Sequence, residues 1–132
     1  MNARTRRLVQ ARAGSRCEYC HIHENDEPYS FHLEHIVSQK HGGRDALSNF
    51  AWSCQSCNLG KSSNLSGWLH GQIIALFHPR RQKWDRHFHW QGARLVGKTK
   101  CGRATIRVLN INAADRLALR KLLIKLGEFP AE

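Results

Sequence analysis

Acidic residues are scarce in this chain. Its 132 residues include 10 Asp and Glu against 21 Lys and Arg, a formal charge of +11. Such a field concentrates polyanions and speeds their encounter, which favours nucleic acid or an anionic surface as partner. Long apolar runs are also missing. The longest is Ile73 to Phe77, five residues, whereas a bilayer span needs about 20, so no membrane segment is expected. The basic stretch Met1 to Arg7 is not followed by the apolar core of a secretory signal, and a cytoplasmic setting is expected. There is no internal repeat and no low-complexity segment. With 41% hydrophobic and 23% charged residues, the composition is that of an ordinary folded domain. Its length suits one domain over 1–132.

The segment Arg4 to Ala13 lacks Gly and Pro and predicts a short helix stopping at Gly14. His21 to Ser30, with Pro28 and the acids Glu24, Asp26 and Glu27, reads as loop. Phe31 to Val37 has the alternation and residue types of a strand, and Ser38 to Ser48 that of a loop with Gly42-Gly43. Asn49 to Trp52 is a second extended piece, and Cys54 to Asn58 opens a short helix fading near Ser62 to Asn64. Residues 77–127 form a basic extension. Arg80 to Arg107 carries nine Lys or Arg and one acid, Asp85, interleaved with Trp84, Phe88 and Trp90 and punctuated by Gly92, Gly97 and Gly102. That spacing predicts short antiparallel strands around a small aromatic core. A last helix is expected with Asn112 as N-cap, an apolar stripe of Leu119, Leu122, Leu123 and Leu126, and Gly127 behind it. The fold class expected is therefore α+β.

Five cysteines are present, and four fall in two pairs, Cys17-x2-Cys20 and Cys54-x2-Cys57, leaving Cys101 over. Two such knuckles can present four thiolates to one tetrahedral Zn²⁺ at about 2.3 Å each. Two disulfides are the rival reading, disfavoured by the expected reducing compartment; a thioredoxin-like redox pair would need a surrounding βαβ pattern. A closed four-thiolate site holds elements together and performs no chemistry. The 33 residues between the pairs exceed the spacer of a small zinc ribbon, so something sizeable is inserted there.

The insert reads His32-Leu33-Glu34-His35-Ile36, then Gly42-Gly43, then Asn49, with Cys57-Asn58-Leu59-Gly60-Lys61 following. Over residues 17–64 this order resembles the HNH endonuclease family. The resemblance implies a ββα-metal core stapled by the cysteine zinc site, flanked by the N-terminal helix and a C-terminal β unit plus helix. It implies His35 as general base, Glu34 and Asn58 as ligands of a catalytic cation, and Asn49 as the residue fixing the loop behind His35. His32 is a further candidate ligand. Glu34 stands where Asp is commoner, and Val37-Ser38 where many members carry proline. The stretches Phe77-His78-Pro79-Arg80 and Gly102-Arg103-Ala104-Thr105 look like a tail seen in some bacterial members.

The residue chemistry agrees independently of the family. Hydrolysing a phosphodiester needs a base for water and a cation for the developing charge. Histidine is the side chain suited by type to the base's task, which His35 could fill; Glu34 and the Asn58 carbonyl are hard oxygen donors suited to Mg²⁺ or Mn²⁺. Because alternate strand residues face opposite ways, Glu34 and His35 should converge only if the strand ends or bulges there. Lys61, three residues after Asn58, is expected to hold a phosphate oxygen, with Arg44 and Lys40 as further nucleic-acid contacts, the substrate being expected to be DNA. The rival from another class is a catalytically silent zinc module that only binds nucleic acid. A membrane-surface protein would have the last helix as its one candidate anchor.

Overall fold

The computed structural model describes residues 2–130, an α+β arrangement of helices and three two-stranded antiparallel ribbons. Helix α1 (Ala3–Arg12) begins at Asn2, whose side chain accepts from Thr5 N, and the chain leaves it through Gly14 at φ +63°. Only Val9 of α1 is buried. The helix is docked chiefly by its arginines. Arg6 donates to Phe31 O and lies over the Trp52 ring, while Arg12 donates to Leu47 O and Phe50 O.

Strand β1 (His32–His35) is shorter than expected and pairs with β2 (Phe50–Ser53), followed by α2 (Gln55–Lys61). This strand, loop, strand, helix order is the one read from the sequence. Strands β3 (Ser66–Leu69) and β4 (Gln72–Ala75) then form a hairpin that was not anticipated. Its two-residue loop places His70 at φ +48° and Gly71 at +77°, the positive φ pair of a type I′ turn.

The basic extension departs from the expected run of strands. It holds a single helical turn, α3 (Trp84–His87), a hairpin of β5 (Phe88–Gln91) and β6 (Arg94–Gly97), and then a helix, α4 (Lys100–Leu109). Thr99 caps α4 by accepting from Gly102 N at 3.0 Å. Gly102 is thus no turn residue: it sits inside the helix where a Cβ would strike the His87 carbonyl oxygen. Trp84, Phe88 and Trp90 do form an aromatic core. Trp84 stacks on His21 at 4.0 Å between ring centroids, and Trp90 meets Phe129 edge-on at 4.9 Å.

Helix α5 (Ala114–Lys125) lies where expected but starts and packs differently. Asn112 does not cap it. Its amide accepts from Leu95 N and donates to Leu95 O at 2.9 and 2.8 Å, filling the hydrogen bonds a neighbouring strand would make. Of the leucine stripe, Leu123 is buried and Leu119 half-buried, while Leu122 and Leu126 are 53% and 61% exposed. The buried face instead carries Arg116 and Arg120. Arg120 donates to Ala93 O and Ile111 O and lies over the Trp90 ring.

One cluster of buried apolar side chains runs from Val9 through Trp52, Phe77 and Phe88 to Phe129. Within it α2 and α4 cross backbone to backbone at Gly60, where a Cβ would stand 2.7 Å from the Leu109 carbonyl oxygen. Among the described residues no helix is long and apolar enough to cross a membrane.

Candidate metal centre and nuclease site

Cys17 and Cys20 sit in the turn after α1, closed by His21 N donating to Cys17 O and Cys17 N donating to Ile22 O, both at 2.9 Å. Cys54 is the N-cap of α2 and Cys57 lies in its first turn, the Cys57 amide pointing at Cys54 Sγ. The four side chains are at most 2% exposed. Their sulfurs all lie within 4.8 Å of one another, with Cys20 and Cys54 3.7 Å apart. Four ligands at about 2.3 Å from one tetrahedral ion stand about 3.8 Å apart. The sulfurs therefore fit a zinc ion, and none of the four is in a disulfide. Cys101, half-buried on α4, takes no part.

Arg116 completes this centre. Its guanidinium pairs with Glu27 and comes within 4.0 Å of Cys54 Sγ. Burial works against its charge, but Glu27 and the neighbouring thiolates outweigh that and hold it protonated more firmly than an ordinary arginine. Four thiolates on a divalent ion carry a net negative charge, and Arg116 is the cation beside it.

The insert between the knuckles builds a second arrangement on the same strands. The register His32↔Ser53, Leu33↔Trp52, Glu34↔Ala51, His35↔Phe50 runs without a bulge. Of the two irregularities expected, the structure shows the strand ending: β1 stops at His35 with no bulge. Glu34 and His35 accordingly make separate contacts. Glu34 is 5% exposed; its Oε1 accepts from the Tyr19 hydroxyl at 2.5 Å and lies 3.9 Å from Lys61 Nζ. Burial pushes its carboxyl up to about 7, against the opposing pull of the Lys61 ammonium and the Tyr19 hydroxyl. Its Oε2 and the Nε2 of His32 are buried without hydrogen-bond partners.

Lys61 is a correction. It was expected to reach for phosphate, but it is 2% exposed and donates to Ile36 O at 2.7 Å. Burial lowers its pKa, with Glu34 pulling the other way. The amine ties α2 to the end of β1 and does not face solvent. Asn58, one turn before Lys61, is half-buried.

His35 stands at the edge, its side chain 17% exposed, its ring tilted on Phe50 at 5.0 Å, and its Nε2 2.7 Å from Asp45 Oδ1. The Asp45 carboxyl is held below its usual range first by the His35 hydrogen bond. Asn49 closes the intervening loop from below. Its Oδ1 accepts from Val37 N, and its Nδ2 donates to Val37 O and Arg44 O, all at 2.9 Å. Arg44 and Lys40 are exposed on the same loop.

Two residues that touch the candidate site went unnoticed in the sequence. Asp45 had a signal, being the one acid between Glu34 and Asp85. Tyr19 had none, because between Cys17 and Cys20 it reads as filler of the knuckle.

Comparison with curated proteins and with solved structures finds no match to this chain. Residues 17–64, which hold all four clustered cysteines together with Glu34, His35, Asn49 and Asn58, match the HNH endonuclease family.

Proposed function

We propose that this chain is a metal-dependent endonuclease that hydrolyses phosphodiester bonds in DNA, with His35 as general base. The observation that carries the reading is the His35 to Asp45 hydrogen bond of 2.7 Å inside the HNH-matching segment. A neutral imidazole that donates Nε2–H to a carboxylate keeps its Nδ1 lone pair for a water proton, and is held in that tautomer and aim. Asn49 keeps the loop carrying both partners in place. Partial exposure at the strand end, beside an exposed Asp45, leaves an edge of the ring open to substrate and water.

The donor set suits a second, exchangeable cation. Glu34 offers one buried oxygen without a partner, and the Asn58 carbonyl is a hard donor of the kind Mg²⁺ or Mn²⁺ takes; His32 Nε2 is a further free donor on the same strand. Bound there, the ion would neutralise charge on the phosphate and on the departing 3′ oxygen. The zinc held by the cysteines, with no open position, stays outside the reaction.

The test is incubation of supercoiled plasmid with zinc-loaded protein in Mg²⁺, Mn²⁺ or chelator, beside a His35→Ala variant that keeps its zinc. Metal-dependent nicking that falls about 10²- to 10⁴-fold in the variant is expected. Equal nicking by both proteins, or none with any metal, refutes the reading. One observation favours the silent zinc module, namely the occupation of Glu34 Oε1 by Tyr19 and Lys61. Duplex binding with no cutting by either protein would establish it.

A further inference from the structure

Some cations of this chain are bound within the fold, and others are free at the surface. Arg12, Lys61, Arg80, Arg116 and Arg120 are tied to internal carbonyls or carboxylates. Arg44, Arg81, Lys83 and Arg86 are exposed, and among the described residues none is in an ion pair.

These four free cations border two surface grooves. The first, about 470 Å³, is lined by Gly42, Gly43 and Asn49 on the His35 loop and edged by Arg44, His78 and Arg81. The second, about 420 Å³, is lined by Arg81, Lys83, Arg86 and His87. Arg81 borders both, so the grooves adjoin and lead from the loop that carries Asp45 out along the extension. No acid lines either groove. Asp85, the lone acid between residues 46 and 114, lies on α3 but lines neither.

From this placement we infer that Arg44, Arg81, Lys83 and Arg86 form a track that seats the sugar–phosphate backbone of duplex DNA beside His35. The lining supplies chiefly positive charge and no large aromatic platform. No Phe, Trp or Tyr borders either groove, whereas single strands are gripped by aromatic platforms. Unpaired cations along a groove displace the counterions of a duplex instead. Contacts of this sort position the nucleic acid and carry no sequence preference. The inference rests on the nuclease reading for its location beside His35, but binding along the track is measured without cutting.

The experiment uses zinc-loaded protein with His35→Ala, titrated by fluorescence anisotropy against a labelled duplex oligonucleotide over a range of salt. A triple variant, Arg81→Ala with Lys83→Ala and Arg86→Ala, is compared with a control of equal charge change, Arg94→Ala with Lys121→Ala and Lys125→Ala, whose residues are exposed and line neither groove. Each lost phosphate contact should flatten the slope of log K against log salt by about 0.9, so roughly 2 to 3 for the track triple, with the control slope unchanged. Unaltered melting temperatures verify that both triples fold. Equal flattening in both triples overturns the track in favour of a diffuse field. Tighter binding to single-stranded DNA or duplex RNA than to duplex DNA overturns the occupant. If the unsubstituted protein fails to nick plasmid while the track triple alone flattens the slope, the track stands and cutting is refuted. Nicking with no slope change in the track triple refutes the track alone.

Discussion

The cysteine centre draws Cys54 and Cys57 from α2, and the His35 loop joins the two strands that lead into that helix, yet the fold treats them oppositely. The four sulfurs are almost wholly covered and close on one another, and a buried arginine stands beside them. His35 lies at a strand end against Asp45, which is itself 57% exposed. Closure suits an ion that must never leave, and an open edge suits the base proposed at His35, which must meet water. The difference teaches that stability and reactivity should be separable by mutation, although the two centres lie within one short segment.

Removing the zinc should break the comparison most severely. Structural zinc binding corresponds to about 10 to 16 kcal/mol, as much as the whole stability of a typical domain, about 5 to 15 kcal/mol. Cys17→Ser is therefore expected to abolish the cooperative melt and most ordered far-ultraviolet dichroism; a variant that melts normally without metal would erase the distinction. Lys61→Met comes next. It leaves the buried Glu34 carboxylate without its cation, a change costing about 3 to 5 kcal/mol by urea unfolding at pH 8. Burial holds the Glu34 carboxyl up at about 7 even beside Lys61, and losing that cation pushes it higher still, so it takes up a proton as the pH falls. The penalty should shrink at pH 5, and Glu34→Gln added to Lys61→Met should recover part of the loss at pH 8.

Asn49→Ala removes three hydrogen bonds to Val37 and Arg44, each contributing about 1 kcal/mol net. A loss of about 2 to 3 kcal/mol is expected by the same method, along with slower plasmid nicking as the loop loosens. The smallest effect on stability should come from His35→Ala and Asp45→Asn, within about 1 kcal/mol because both lie at the edge. Plasmid nicking should nonetheless collapse in the first and fall in the second, where the amide no longer selects the tautomer. If either destabilises the fold as much as Asn49→Ala does, the two centres are not separable.

The features legible in the sequence were those carried by rigid chemical signatures. The cysteine spacing, the Gly14 stop and the alternation around Glu34 each have a local cause. Residues whose role depends on distant partners were not legible. Lys61 was read as a phosphate contact and Arg116 drew no reading, because long cations are rarely covered, and only the fold brings Glu34, Ile36, Glu27 and Cys54 to meet them. Gly102 was read as punctuation because the His87 carbonyl that demands a glycine lies 15 residues away in the sequence. The β3–β4 hairpin was passed over because His70-Gly71 is not one of the pairs that usually announce a type I′ turn.

The missing side chain at Gly60 bears on how this protein can be cut and joined. The family match stops at residue 64, and a designer wishing to transplant the matched segment would draw the boundary there. Yet α2, which holds Cys57 and Asn58, rests directly on the Leu109 backbone of α4, with no side chain between them to be trimmed or replaced. A graft ending at 64 would leave that helix with a bare stripe and nothing shaped to meet it. The portable unit reaches at least through α4, and to Arg116 on α5 if the cysteine centre is to keep its cation.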